Sequence, residues 1–223
     1  CAQIMISENL YKKDYVLEQT DLPILVRKDN QRFLRQSDVV KGGADNALYM
    51  WDEVKKAIVI APGCEGDGDG GRSLKLNDIH PALTGTFSVK LADGSSIDVC
   101  PVFDNLCEKL NKEYTPELAA KITGLNPNLI RTFAREMAAA PRAMIFASWG
   151  ACKHYHSDLY QRAMILLMSL TGNQGKAGSG VRIAAWWGMD GLEALANGLF
   201  TTADKIKLIP KAIRGLTPRD YED

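Results

Sequence analysis

Residues Pro141–Gly180 read PRAMIFASWGACKHYHSDLYQRAMILLMSLTGNQGKAGSG. The order of apolar, cationic and glycine residues in this stretch decides the fold. The apolar run 143–147 is too short for a helix and is bounded by Pro141 and Gly150, which predicts a buried strand. A polar, aromatic and cationic loop follows over 148–156. Ser157 or Asp158 then stands where a cap is needed for a helix over 159–170 that is apolar on nearly every face. Gly172 supplies its stop. In open α/β sheets, ligands lie beyond the carboxyl end of a strand and before the next helix. The loop holds His154 and His156, of three histidines in the chain, and is the candidate functional segment.

Composition narrows the function classes. The chain has 223 residues, 46% of them hydrophobic and 24% charged, as in an ordinary globular protein. Lys plus Arg and Asp plus Glu number 27 each, so bulk charge gives no argument for nucleic acid or an acidic membrane. No apolar run approaches the length of a membrane span. The chain opens Cys1-Ala2-Gln3-Ile4-Met5-Ile6, which reads as the interior of a helix and suggests a piece of a longer protein. Cysteines stand at 1, 64, 100, 107 and 152 with no Cys-x-x-Cys, so neither a zinc ribbon nor an iron–sulfur ligand set is encoded here.

Outward from the central stretch, the chain falls into a strand- and turn-rich part and an α/β part. Residues 4–17 predict a helix, a turn near Glu8-Asn9 and a second short helix, broken by Thr20-Asp21-Leu22-Pro23. Strands are expected over 22–26, with 31–34 returning against it through Lys28-Asp29-Asn30, and over 47–51 and 57–60. Residues 62–72 are glycine-rich and acidic. Asp67 and Asp69 suggest a calcium loop, but the later EF-hand ligands are missing, and a flexible surface loop is the favoured reading. A hairpin over 86–91 and 97–102 turns at Ala92-Asp93-Gly94-Ser95.

Helices follow from 104. Thr115-Pro116-Glu117 is an N-cap, a proline at the first helical position and an acid in the first turn, with a stop at Gly124. Asn126-Pro127 repeats the signal, and Leu129, Ile130, Phe133, Ala134 and Met137 make an apolar stripe at helical spacing. A last strand is expected over 181–187 and a short helix over 192–196. The expected segments are 1–103, helix then strands and turns; 104–200, α/β and cofactor-contacting; and 201–223, an irregular basic tail.

The 149–156 loop admits three readings. Its side chains could pack a domain edge. His154 and His156 could hold a metal ion, but no third His and no carboxylate except Asp158 lies nearby, so no metal ligand is assigned. The loop could instead grip an anionic cofactor: a helix N-terminus offers free N–H groups to phosphate, Lys153, His154, His156 and Arg162 add cationic donors, and Trp149 and Tyr155 add flat faces. The glycine-rich run 171–180 is neither a P-loop nor a dinucleotide fingerprint. It exposes backbone, either to hug a ligand or to cap the helix.

Asn-x-Gly-x-x-Gly-x-Gly after an apolar helix, preceded by a strand, a Trp-Gly loop and a basic-aromatic cluster, resembles the large subunits of the dimethyl sulfoxide reductase family. Glu113-Tyr114-Thr115-Pro116-Glu117 with Ile122-Thr123-Gly124 is similar to that family's run into this region. Thr20-Asp21-Leu22-Pro23 with Leu25-Val26-Arg27 resembles the branch that includes nitrate, perchlorate and selenate reductases and ethylbenzene dehydrogenase. Gly150, Tyr155, His156, Asp158 and Arg162 match the nitrate reductase pattern. Lys153, in Ala-Cys-Lys-His-Tyr-His, departs from it and looks like the ethylbenzene dehydrogenase and sterol side-chain hydroxylase group, as does Arg182-Ile183-Ala184-Ala185-Trp186-Trp187.

The resemblance implies the middle portion of a catalytic alpha subunit, inactive alone, with a strand-rich segment leading into a mainly parallel α/β layer. It implies a bis-molybdopterin guanine dinucleotide cofactor, contacted by Ser148, Trp149, Gly150, Ala151, His154, Tyr155, His156, Arg162 and Asn173, with Lys153 catalytic. A 4Fe-4S cluster is expected elsewhere in the subunit, with an iron–sulfur beta subunit, a haem gamma subunit and a periplasmic location. The expected reaction is oxygen-independent hydroxylation of a hydrocarbon or sterol side chain with water. The alternatives are a reductase of nitrate, selenate or an oxychlorine anion and, in another class, a non-catalytic α/β module that binds a ligand or partner.

Overall fold

A computed structural model describes residues 1–64, 74–147, 150, 153–183 and 201–203. The chain divides into two compact units, Cys1–Ile145 with Asp158–Val181, and Phe146–Ser157 with Arg182–Asp223. In chain order the elements are α1 (Ala2–Ser7), α2 (Lys13–Gln19), β1 (Leu25–Arg27), α3 (Gln36–Val39), β2 (Tyr49–Asp52), β3 (Ala57–Ile60), β4 (Phe87–Lys90), β5 (Ser96–Pro101), α4 (Val102–Glu113), α5 (Pro116–Thr123), α6 (Pro127–Ala139), β6 (Met144–Ala147), α7 (Ser157–Leu170) and β7 (Gly180–Ile183). None of the described helices is long and apolar enough to cross a membrane.

The helix starts follow local chemistry. Thr115 accepts from the Leu118 N–H ahead of Pro116, and Asn126 accepts from the Asn128 N–H ahead of Pro127, so side chains satisfy N–H groups that the helices cannot. Gly124 closes α5 in the left-handed region at φ 73°, where glycine carries no Cβ penalty. α4 begins at Val102, which the sequence pattern places at the end of a strand. There the chain passes straight from β5 into the helix, with Pro101 at the N-cap.

The strand-rich part forms small antiparallel sheets. β5 lies between β1 and β4, with Val26 opposite Cys100 and Val89 opposite Ile97. β2 and β3 form a hairpin, Met50 opposite Val59. The expected strand 22–26 shortens to β1, with Ile24 bridging to Met50 and Val26 to Phe33. The return at 31–34 is thus present as an isolated bridge. Leu25, Leu34, Tyr49, Val89 and Val99 form one core cluster, beside a stacked Trp51–Phe87 pair with ring centroids 4.3 Å apart. The helical part has another cluster, in which Met5, Val16, Leu22, Phe103, Ala138 and Leu170 join α1, α2, α4, α6 and α7.

Three expectations are corrected. β6 is not a buried strand: Met144 is 46% and Phe146 70% exposed. β6 pairs with β7 alone among the described residues, and neither Met144 nor Phe146 joins a core cluster there, so no described layer packs on the face they share. The stripe on α6 is split, with Ile130 and Ala134 buried and Leu129 and Phe133 exposed. α3 was not foreseen. It is a single turn, held by the Asp38 carboxylate accepting from the Arg35 N–H and, at 2.6 Å, from the Arg27 guanidinium. The acidic residues Asp67 and Asp69, the last strand beyond 183, the helix at 192–196 and the tail beyond 203 lie outside the described residues.

Asp52 is a buried carboxylate at the end of β2. Its Oδ1 accepts from the Val54 N–H at 2.9 Å and the Lys55 N–H at 3.0 Å. The Lys55 ammonium stands 3.6 Å from Oδ2. Burial pushes its pKa up, but the N–H groups of Lys55, Val54 and His80 and the Lys55 charge outweigh it and hold the group below its ordinary 3.8. A depressed carboxylate contributes stability that is present above its unfolded pKa and lost as pH falls through the folded one. Protection of the Val54 and Lys55 amides from hydrogen exchange, corrected for intrinsic rate, is therefore expected to fall below pH 3.8. Asp52→Asn should remove that dependence and lower protection at neutral pH by about 1–2 kcal/mol. Parallel pH profiles for the two proteins would contradict this account.

Candidate functional site

Two candidate segments flank α7 in the sequence, the turn after it and the loop before it. At its C-terminus Thr171, Gly172 and Asn173 turn the chain. Gly172 has φ 62°. The Asn173 N–H donates to the Met168 carbonyl at 2.7 Å and the Gly172 N–H to that of Ser169 at 3.0 Å, the paired bonds of a Schellman motif. The Lys12 N–H satisfies the Leu170 carbonyl at 2.7 Å, so the start of α2 closes the end of α7. A Cβ on Gly172 would lie 3.2 Å from the Lys12 side chain, a tight contact added to the strain of a left-handed backbone. Of the two readings of the glycine-rich run, the capping role is the one its first glycine performs.

Asn173 is 1% exposed. Its Oδ1 accepts from the Ala143 N–H at 3.1 Å, and its Nδ2 donates to Thr171 Oγ1 at 2.9 Å. Its carbonyl accepts from the Ser179 hydroxyl at 2.7 Å, and the Gly180 N–H returns to the Ala143 carbonyl at 3.1 Å. One side chain thus ties the end of α7 to the residue before β6, while Ser179 draws in the residue before β7. The Tyr15 hydroxyl donates to the Gln174 carbonyl at 2.9 Å. Sequence reading marked Asn173 as a cofactor contact. The structure places its side chain inside the fold, and the signal for this role was its position one residue after a helix-stopping glycine.

The loop before the N-terminus of α7 belongs to the second compact unit. Gly150, Lys153, His154, Tyr155 and His156 are exposed. Tyr155 is 90% exposed, and its ring centroid stands 3.8 Å from that of His156. The Lys153 N–H donates to the Gly150 carbonyl at 3.3 Å, and the Ser157 N–H to the His154 carbonyl at 3.2 Å. His156 adopts φ 59°, a backbone region uncommon for non-glycine residues and frequent at functional sites. α7 takes in Ser157 and Asp158 as its first residues, so both lie inside the helix they were expected to cap. Asp158 in the first turn complements the helix dipole. Arg162, in the first compact unit, is 79% exposed and 4.0 Å from the Asp158 carboxylate. Ser148, Trp149, Ala151 and Cys152 lie outside the described residues.

The loop therefore presents an ammonium, two imidazoles and a phenol ahead of a helix N-terminus. Such a donor set suits an anionic group with a flat ring. Among the described residues no group of three or more His, Cys, Asp or Glu could hold a metal ion.

Comparison with known proteins gives this geometry a context. No family model matches the chain. The perchlorate reductase subunit alpha of Dechloromonas aromatica is 43% identical over 216 residues, covering 87% of this chain and 23% of that protein. The chain is homologous to a segment of such alpha subunits. The chlorate reductase subunit alpha of Ideonella dechloratans is 36% identical, covering 84% of this chain and 20% of its own length. The dimethylsulfide dehydrogenase subunit alpha of Rhodovulum sulfidophilum is 35% identical, covering 78% and 18%. The chain thus spans about a fifth of the length of these relatives. Their identities support the molybdopterin oxidoreductase family that the motifs resemble.

Asn173→Ala leaves the Ala143 N–H without its acceptor, while the Thr171 hydroxyl keeps the Leu167 carbonyl at 3.0 Å. An N–H so orphaned costs about 1–3 kcal/mol. Exchange of the Ala143 amide in the complete subunit should accelerate on the order of tenfold or more, while Asn173→Asp, which keeps the acceptor, should retain most of the protection. Equal exchange in all three proteins would refute the role assigned to this amide.

Proposed function

We propose that the complete protein is the catalytic alpha subunit of a bis-molybdopterin guanine dinucleotide oxidoreductase that reduces an oxyanion of chlorine or nitrogen. The observation that carries this reading is the 43% identity over 216 residues with a perchlorate reductase alpha subunit. The donor chemistry of the 150–156 loop agrees with an anionic cofactor. In this proposal Ser148, Trp149, Gly150, Ala151, His154, Tyr155, His156 and Arg162 contact the cofactor. Asn173 contributes through its backbone and by fixing the glycine-rich run. A 4Fe-4S cluster, an iron–sulfur beta subunit, a haem gamma subunit and a periplasmic location complete the proposal, and the division at 103 and 200 marks its strand-rich, cofactor-contacting and tail segments.

The molybdenum centre supplies the two-electron redox step when bound. The chain's own residues attract and orient. The Lys153 ammonium draws an anionic substrate toward the loop and offsets negative charge on the oxygen that departs. In this proposal His154 and His156 donate hydrogen bonds to the bound anion. Tyr155 offers a flat face to a ring of the cofactor.

A second reading, hydroxylation of a hydrocarbon or sterol side chain with water, rests on Lys153 within Ala151-Cys152-Lys153-His154-Tyr155-His156. It draws support from a relative named a dehydrogenase. The purified complete subunit with its partners decides between them. Reduced viologen should be oxidised on adding chlorate, perchlorate or nitrate. Inertness toward all three, with ferricenium-coupled oxidation of ethylbenzene, would overturn the reductase reading in favour of the second. Inertness in both assays at full molybdenum loading would leave the non-catalytic module.

Lys153→Met keeps the stem and deletes the charge. Turnover should fall about 100-fold with molybdenum content unchanged, the mark of charge stabilised in the transition state. A parallel loss of molybdenum would make Lys153 a cofactor contact, and full turnover would remove it from the site.

A further inference from the structure

The α5–α6 hairpin carries large apolar side chains on its outside. Ile122 at the end of α5 is 81% exposed, Leu125 in the connection 50%, and Leu129 and Phe133 on α6 58% and 50%. Leu129 and Phe133 stand one helical turn apart and so share a side of α6. On the adjoining side Ile130 and Ala134 are buried with Ile4, and Met137 packs against the cluster that holds Met5. A helix at a protein surface needs one apolar stripe, and the wider arc of α6 is the pattern of a helix with neighbours on two sides.

Two arginines beside the ridge are paired within the chain. Arg131 on α6 pairs with Glu117 on α5. Arg135 grips Glu8 through two guanidinium nitrogens at 2.8 and 2.7 Å. Arginines that are spent internally do not recruit an acidic partner. The ridge residues themselves are aliphatic and aromatic, the composition of the centre of a permanent contact. The homologous perchlorate reductase alpha subunit has ample further chain to supply that contact, since this sequence spans 23% of it.

We infer that Ile122, Leu125, Leu129 and Phe133 form an apolar ridge that, in the complete alpha subunit, is buried against a segment of the same polypeptide outside these 223 residues. The inference rests on the homology to longer alpha subunits and not on the choice of substrate.

The test uses the complete alpha subunit, first without and then with its partner subunits. Hydroxyl-radical oxidation of wild-type Leu129 and Phe133 is followed by peptide mass spectrometry, which needs no substitution and so does not depend on a variant folding. Maleimide labelling of Leu129→Cys and Phe133→Cys runs beside it, with the denatured subunit as the fully reactive reference. Reaction at both positions in the subunit alone should be at least about 100-fold slower than in the reference, because access then requires local opening. Reactivity within several-fold of the reference, as on a solvated helix, overturns the inference. Protection that arises only when a partner subunit is added also overturns it and makes the ridge a subunit interface. None of these readings uses turnover, so failure of the oxyanion assay would sink the proposed function and leave the ridge as argued.

Discussion

A buried side-chain amide holds the end of α7 to the starts of β6 and β7. Asn173 accepts from the backbone of Ala143, donates to Thr171 and presents its carbonyl to Ser179. Its own N–H closes the helix on Met168. Groups this deeply buried must find partners within the fold, and unmade bonds there cost more than made ones contribute. An aliphatic residue of similar volume would leave the Ala143 N–H without its acceptor, and Gln would carry its amide beyond Ala143. The geometry also depends on Gly172, whose left-handed backbone lets the Asn173 N–H point back at the helix. The pattern Thr-Gly-Asn after an apolar helix is thus a structural device, whatever else approaches it.

The candidate loop is built on a different principle. Lys153, His154, Tyr155 and His156 are exposed, and the backbone is turned by the Lys153 N–H donating to the Gly150 carbonyl and the Ser157 N–H to the His154 carbonyl. Cationic and aromatic side chains exposed on a short turned backbone suit recognition of an anion. Loops at strand–helix junctions are a common place for such side chains. The homologous alpha subunits extend far beyond this segment.

Much of the fold was legible because its signals are local. Thr115-Pro116, Asn126-Pro127, Gly124 and Gly172 act within one turn, and each does what its chemistry requires. The hairpin turning at Asp93-Gly94 is equally local, the Asp93 carboxylate accepting from the Ser95 N–H at 2.9 Å. Less could be read where long-range partners decide. The exposure of Met144 and Phe146 depends on which strands flank β6, and α3 is a turn held partly by Arg27 from another strand. Burial of Asp52 depends on residues around Pro81, nearly thirty positions away. Motif order pointed to the 149–156 loop as the candidate site. The choice of substrate was not legible, because it hung on Lys153 alone, and the relatives, which include reductases of chlorine oxyanions, favour the reductase reading over hydrocarbon hydroxylation.

The central claim is that this segment belongs to a molybdopterin guanine dinucleotide enzyme. The most direct measurement is elemental and nucleotide analysis of the complete subunit purified without oxygen. Molybdenum should be present together with guanosine monophosphate released on acid hydrolysis, the nucleotide in molar excess over the metal. A folded, fully assembled subunit that contains neither molybdenum nor guanine nucleotide would contradict the account.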